Sequence, residues 1–176
     1  LLNVSPAEIF FTSGGTEADN MAIVQSVATY GIKHIISSPI EHHAVEHTLE
    51  VLAKNGIVDL HYVNHDAHGH VDLNHLQELL KQFPNSLVSL MHANNEIATL
   101  LPLEKVSKLC RQYGALFHSD TVQTMGHYAF DLQSLDIDFI TCAAHKFHGP
   151  KGIGFLYVNK QTKVVPLIHG GSQERG

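Results

Sequence analysis

The chain alternates short apolar runs with amphipathic stretches along nearly its whole length, and that alternation leaves few folds open. Seven runs read as strands: 9–12, 34–37, 58–63, 87–92, 116–119, 139–142 and 154–158. Each is rich in β-branched, aromatic or leucine residues and is bounded by polar or glycine signals. Between most of them lie helical stretches at 17–30, 44–55, 73–82 and 103–113. Leu73, Leu76 and Leu80 show the i, i+3, i+7 spacing of one buried helix face. Asp72 stands where an N-cap belongs, and Pro102 stands in a first turn, where its missing N–H costs nothing. Strand alternating with helix predicts an α/β fold: a mostly parallel, seven-stranded sheet with helices on both faces. No internal repeat or low-complexity linker interrupts it.

Composition narrows the partners. The 176 residues suffice for one domain with a core, and 44% hydrophobic against 16% charged residues is the balance of a globular chain. The net charge of -6 argues against nucleic acid or an anionic membrane, both of which attract basic surfaces. No apolar run approaches the roughly 20 residues a membrane helix needs. Cys110 and Cys142 form no C-x-x-C pair, so a reducing, cytoplasmic setting is expected. Fifteen histidines by themselves say nothing about metal. The first strand starts almost at once and the polar tail from Gly170 to Gly176 closes no element, so the chain is expected to be a piece of something longer.

Ligands of such sheets bind at the carboxyl ends of the strands, so the chemistry is sought at the strand exits. The first exit, Thr12-Ser13-Gly14-Gly15-Thr16-Glu17, is an anion site at a helix N-terminus or a tight turn with a Thr cap. The second, Glu41-His42-His43-Ala44, offers a ring to stack or ligate, or a partly exposed histidine. The fourth, His92-Ala93-Asn94-Asn95-Glu96, offers amides to a ligand oxygen or a plain Asx turn. The fifth, His118-Ser119-Asp120-Thr121-Val122-Gln123, ends a buried strand in a carboxylate that needs a cationic or hydrogen-bonding partner, or caps a helix. The sixth, Cys142-Ala143-Ala144-His145-Lys146-Phe147-His148-Gly149-Pro150-Lys151-Gly152, carries an amine that is either a nucleophile toward aldehydes or an exposed loop lysine. Together these exits supply a phosphate cradle, an amine, an acid for a ring nitrogen, amides for ring oxygens and a ring to stack. Those are the demands of pyridoxal 5'-phosphate (PLP).

On these residues the sequence resembles the cysteine desulfurases, within the class V aminotransferase group of fold type I PLP enzymes. The stretches F-T-S-G-G-T-E-A-D-N, E-H-H-A-V, M-H-A-N-N-E-I, H-S-D-T-V-Q-T-M-G, A-H-K-F-H-G-P-K-G-I-G and H-G-G-S-Q-E-R-G occur in the family's order and spacing. The resemblance implies that Gly15 and Thr16 hold the phosphate, with Ala143 and His145 beside it. It implies that His42 stacks on the ring, Asn95 lies beside it, Asp120 pairs with its nitrogen and Gln123 hydrogen-bonds its phenolic oxygen. Lys146 would carry the cofactor as a Schiff base and shuttle protons, and Lys146 and His42 would be the catalytic residues; no metal is assigned. Two departures stand out: Ala143 replaces a usual serine, and Gly170-Gly171-Ser172 replaces a triple glycine.

The resemblance further implies that residues 1–176 are an incomplete PLP-binding large domain. The N-terminal segment and the C-terminal small domain, with its sulfur-accepting cysteine, would lie outside them. The chain alone is then expected to bind PLP weakly and to lack activity. For the parent enzyme the resemblance implies L-cysteine as substrate, L-alanine and an enzyme persulfide as products, a sulfur-acceptor protein, a homodimer and a cytoplasmic location. The pathway stays open among iron–sulfur cluster assembly, tRNA thiolation and DNA sulfur modification. Alternatives are another class V enzyme, such as a selenocysteine lyase or an aminotransferase, and a non-enzymatic paralogue. A further rival is a zinc metallopeptidase, since His43-Ala44-Val45-Glu46-His47 spells H-x-x-E-H with the histidines at i, i+4.

Overall fold

The structure, a computed structural model, describes residues 2–171. Seven strands form one sheet: β1 (Ile9–Thr12), β2 (His34–Ser37), β3 (Asp59–Tyr62), β4 (Leu87–Ser89), β5 (Leu116–Asp120), β6 (Phe139–Ala143) and β7 (Gly154–Val158). Their order across the sheet is β1-β7-β6-β5-β4-β2-β3. Only β7 runs antiparallel to its neighbours, so the sheet is mostly parallel, as the alternation predicts. Four helices connect the strands: α1 (Gly15–Tyr30), α2 (His43–Lys54), α3 (Leu73–Gln82) and α4 (Leu103–Gln112).

The strand period of two divides the core. Ile35 and Leu87 pack with Ile23 and Val27 of α1 and with Val45 and Leu49 of α2. Their neighbours Ile36 and Val88 face the other way and pack with Leu76 and Leu80 of α3 and Val106 of α4. The helices therefore cover both faces. Caps fix where they begin. Asp72 accepts hydrogen bonds from the backbone N–H groups of Asn74 (2.9 Å) and His75 (3.2 Å), as its position predicts. Pro102 falls one residue before α4 rather than inside its first turn.

Two strands end sooner than their apolar runs. The fourth run continues to His92, yet β4 stops at Ser89. Pairing persists beyond it, since the N–H groups of Leu90 and His92 still donate to the carbonyls of His118 and Asp120. The third strand is likewise shorter by one residue at each end. Among the described residues no helix is long and apolar enough to cross a membrane. Gly170 and Gly171 lie in irregular backbone, and Ser172 lies outside the described residues.

Candidate active site

The face of the sheet under α1 turns from apolar to polar as it approaches the carboxyl ends of the strands. In β5, Leu116, His118 and Asp120 share that face, and in β6 Phe139, Thr141 and Ala143 do. His118 is wholly buried. Its Nδ1 lies 2.9 Å from the Ser89 hydroxyl and its Nε2 lies 3.0 Å from the Thr141 hydroxyl. Buried without a carboxylate hydrogen-bonded to it, the imidazole is pushed down to about 4 and stays neutral at ordinary pH.

Above this polar floor opens a cavity of about 320 Å³. All nine residues singled out from the sequence line it: Gly15 and Thr16, His42, Asn95, Asp120 and Gln123, and Ala143, His145 and Lys146. They come from five different strand exits. Gly15 and Thr16 open α1, whose N-cap, Gly14, provides no side-chain acceptor, so the first helical N–H groups are left for a ligand. A side chain at Gly15 would press on Val122 Cγ2 at 2.9 Å, which also lines the cavity. A side chain at Gly154 would run into the Cys142 carbonyl oxygen and stand 2.9 Å from Gly14 Cα, so glycine there lets β7 pass beneath the turn.

His42 caps α2: its Nδ1 accepts from the Ala44 N–H at 3.1 Å, which leaves Nε2 as the protonated nitrogen and fixes the ring at the rim. The two amides of the fourth exit divide their tasks. Asn94 is buried and makes the Asx turn, accepting from the N–H groups of Glu96 and Ile97 at 2.8 and 3.0 Å. Asn95 is left on the cavity side. Behind it Glu41 is buried and accepts from the Met91 N–H at 2.8 Å, tying the second exit to the fourth. Lys146 sits on a 3-10 turn, Ala144–Phe147, that follows β6. The turn is held from outside, because His127 Nε2 donates to the Lys146 carbonyl at 3.0 Å. The lysine side chain itself is exposed at the cavity.

Asp120 ends β5 at 6% exposure, and its Oδ1 accepts from the Val122 N–H at 2.8 Å. Burial first, and then the like charge of Asp19, push its carboxyl up to about 7. Asp19 is a cavity residue that the strand-exit reading missed, because it sits one turn inside α1 rather than at an exit. The signal was present: Asp19 stands three residues before Ala22 and four before Ile23, both fully buried, so the helical period places a carboxylate on an apolar face. Ligand atoms of Asp19, His42 and Asp120 lie within 4.8 Å of one another, the one such cluster among the described residues.

The sequence profile of the family Aminotransferase class-V matches residues 1–175. The chain belongs to the class V aminotransferase family. "Cysteine desulfurase IscS" of Dictyoglomus turgidum is 48% identical over 170 residues, covering 95% of this chain and 42% of that relative. A solved structure named NifS-like protein superposes with a TM-score of 0.93 at 44% identity, over 99% of this chain and 48% of that one. That of SspA in complex with cysteine gives a TM-score of 0.89 at 35% identity, over 98% and 50%. The chain thus spans less than half the length of the curated relative it matches.

Within this class V chain, the pair His43 and His47 lies outside the cavity just described. Both are exposed on α2, their rings stacked with centroids 5.0 Å apart, and among the described residues no third His, Cys, Asp or Glu forms a ligand cluster with them. The two thiols also lie apart from the cavity. Both are buried, and burial pushes Cys110 up and Cys142 up to about 12, so neither is a thiolate near neutrality. A second cavity, about 400 Å³, opens at the opposite rim beside Arg111, Asp136 and Asp138.

Proposed function

We propose that this class V chain is the cofactor-binding part of a PLP-dependent cysteine desulfurase, which takes sulfur from L-cysteine to give L-alanine and an enzyme persulfide. The observation that carries the reading is the gathering of an amine, a buried acid and an uncapped helix N-terminus from separate strand exits around one cavity. The cavity fits PLP on its own chemistry. Among the described residues neither Asp19 nor Asp120 is ion-paired with a lysine or arginine, and a protonated ring nitrogen would supply Asp120 with a cation. The N–H groups at Gly15 and Thr16 suit a phosphate dianion. Bound there, PLP would supply an aldehyde and a ring that withdraws electrons from the substrate Cα.

The chain's own residues then have defined tasks. Lys146 Nζ would hold the cofactor through its aldehyde carbon and would carry the proton of the substrate Cα. Asp120 would hold the ring nitrogen in its protonated form. Gln123 would donate to the phenolic oxygen, Asn95 and His42 would orient the ring, and His145 and Ala143 would flank the phosphate. With alanine at 143 the phosphate lacks one hydroxyl donor and relies on the helix end. Neither cysteine of the chain has the ionisation a sulfur acceptor needs, so that nucleophile belongs to another part of the protein. The choice of cysteine over other amino acids rests on the named relatives and on the cysteine bound in the SspA structure. A sulfur-acceptor protein, a cytoplasmic setting and a homodimer belong to the same proposal.

Incubation of the protein with PLP, reduction with borohydride and peptide mapping tests it, because covalent trapping registers even weak binding. The expected adduct is on Lys146 and is lost in Lys146→Ala. An adduct of equal yield in that variant, or one spread over the surface lysines, overturns the reading.

A further inference from the structure

Asp19 has no place in the chemistry above, yet its carboxyl lines the same cavity. It is 1% exposed. Its Oδ1 is buried without a hydrogen-bond partner and stands 3.4 Å from His118 Nε2. Asp120 belongs to the same cluster of ligand atoms, within 4.8 Å. The groups that face this pair come from every element around it. His118 and Thr141 approach from β5 and β6, His42 from the N-terminus of α2, and Glu41 from the loop before it. None of these brings a fixed positive charge, and the Lys146 amine, which lines the same cavity from the turn after β6, is not ion-paired with either carboxylate. Burial holds His118 neutral and pushes Glu41 well up. Two carboxylates this close, both out of water, cannot both ionise.

We infer that Asp19 and Asp120 are one buried acid pair that holds a single proton, and that Asp19 keeps it. The proton is thereby stored on the oxygen that accepts no hydrogen bond, and Asp120 is left as the carboxylate that faces the ring nitrogen. Asp19 is in this sense a positioning residue: it sets the charge of Asp120 from the helix that also carries the phosphate cradle. Burial is the first cause that raises both carboxyls. The inference rests on the PLP reading for its purpose, while its test needs no cofactor.

The test is a titration of the cofactor-free protein followed by carbon-13 carboxyl resonances, in wild type, in Asp120→Asn and in Asp19→Asn, each of which keeps the side chain's shape and fixes it neutral. In wild type the Asp19 resonance is expected to stay that of a protonated acid through neutral pH while Asp120 titrates below it. In Asp120→Asn the Asp19 midpoint is expected to fall by about one pH unit or more, the size at which two sites count as coupled, because in wild type Asp19 titrates beside an Asp120 that is already charged. In Asp19→Asn the Asp120 midpoint is expected to stay where it is in wild type, since the Asp19 it replaces is neutral while Asp120 titrates; this arm decides the order of ionisation should Asp120→Asn fail to fold. An Asp19 midpoint unmoved by Asp120→Asn, an Asp120 midpoint that falls clearly in Asp19→Asn, or an Asp19 already ionised at neutral pH overturns the inference. Failure of PLP trapping at Lys146 sinks the reading of the preceding subsection and leaves this titration to decide the pair by itself.

Discussion

At Asp19 the loss of water outweighs the hydrogen bonding the fold supplies, and its carboxyl holds a proton up to about pH 8. The consequence for stability follows from linkage. The unfolded chain releases that proton near the ordinary value of 3.8, so between roughly pH 4 and pH 8 the folded state binds a proton that the unfolded state does not. Stability from this group is therefore fully present below pH 4 and is lost as pH rises to about 8. His92 and His118 act in the opposite direction. Both are held down to about 4 by burial, so their contribution is intact above pH 6.5 and is lost as pH falls toward 4. Asp19→Asn removes only the first trend. The melting temperature of the variant minus that of wild type should therefore rise steadily from pH 5 to pH 8. Parallel melting profiles for the two proteins would show that Asp19 releases its proton as readily in the folded chain as in the unfolded one.

At the scale of single elements, local signals and packing contribute separately. The Asp72 carboxylate satisfies two of the free N–H groups at the start of α3, on the face of the sheet away from α1. Asp72→Ala should cost about 1 kcal/mol, the usual worth of such a cap, read as a lower urea midpoint. Trapping of PLP at Lys146 should be unchanged, because α3 gives no residue to the cavity. This element was legible in the sequence, as were β1, β2 and β7, because a cap, a glycine or a polar break marks their ends. The fourth strand was less so. Leu90 and Met91 are buried as an apolar run demands, but Asn94 turns the chain with its own side chain, and the strand proper ends at Ser89 although its pairing to β5 continues to His92. The site was legible wherever residues stand at strand exits, since topology sends all parallel exits to one rim. Asp19 was not, because its significance depends on His118 and Asp120, roughly a hundred residues further along the chain, and only the packing of α1 over β5 brings them together.

For the whole molecule, the site is a property of the sheet's register, since no two adjacent strands in sequence could assemble it alone. Residues of the first exit meet those of the sixth only because β1, β7 and β6 are paired, with Thr12 opposite Gly154 and Gly154 opposite Ala143. Binding chemistry and fold stability should then separate cleanly by location. Phe117 lies on the central strand β5, fully buried against the α3 and α4 side, and touches none of the cavity. Phe117→Ala removes a large core side chain and should cost roughly 3–5 kcal/mol, a large share of the 5–15 kcal/mol that holds a typical domain together. Gln123 is partly exposed at the cavity, and Gln123→Ala should leave the urea midpoint within about 0.5 kcal/mol of wild type, as for other substitutions that create no core void. The trapping experiment should order the two differently in urea. In dilute buffer Phe117→Ala should still form the Lys146 adduct and should lose it at much lower urea than wild type, in step with its unfolding. Gln123→Ala should form less adduct at every urea concentration while unfolding where wild type does. If Phe117→Ala instead loses the adduct while its sheet remains folded, the cavity is coupled to the far face of the sheet more tightly than a register-built rim requires.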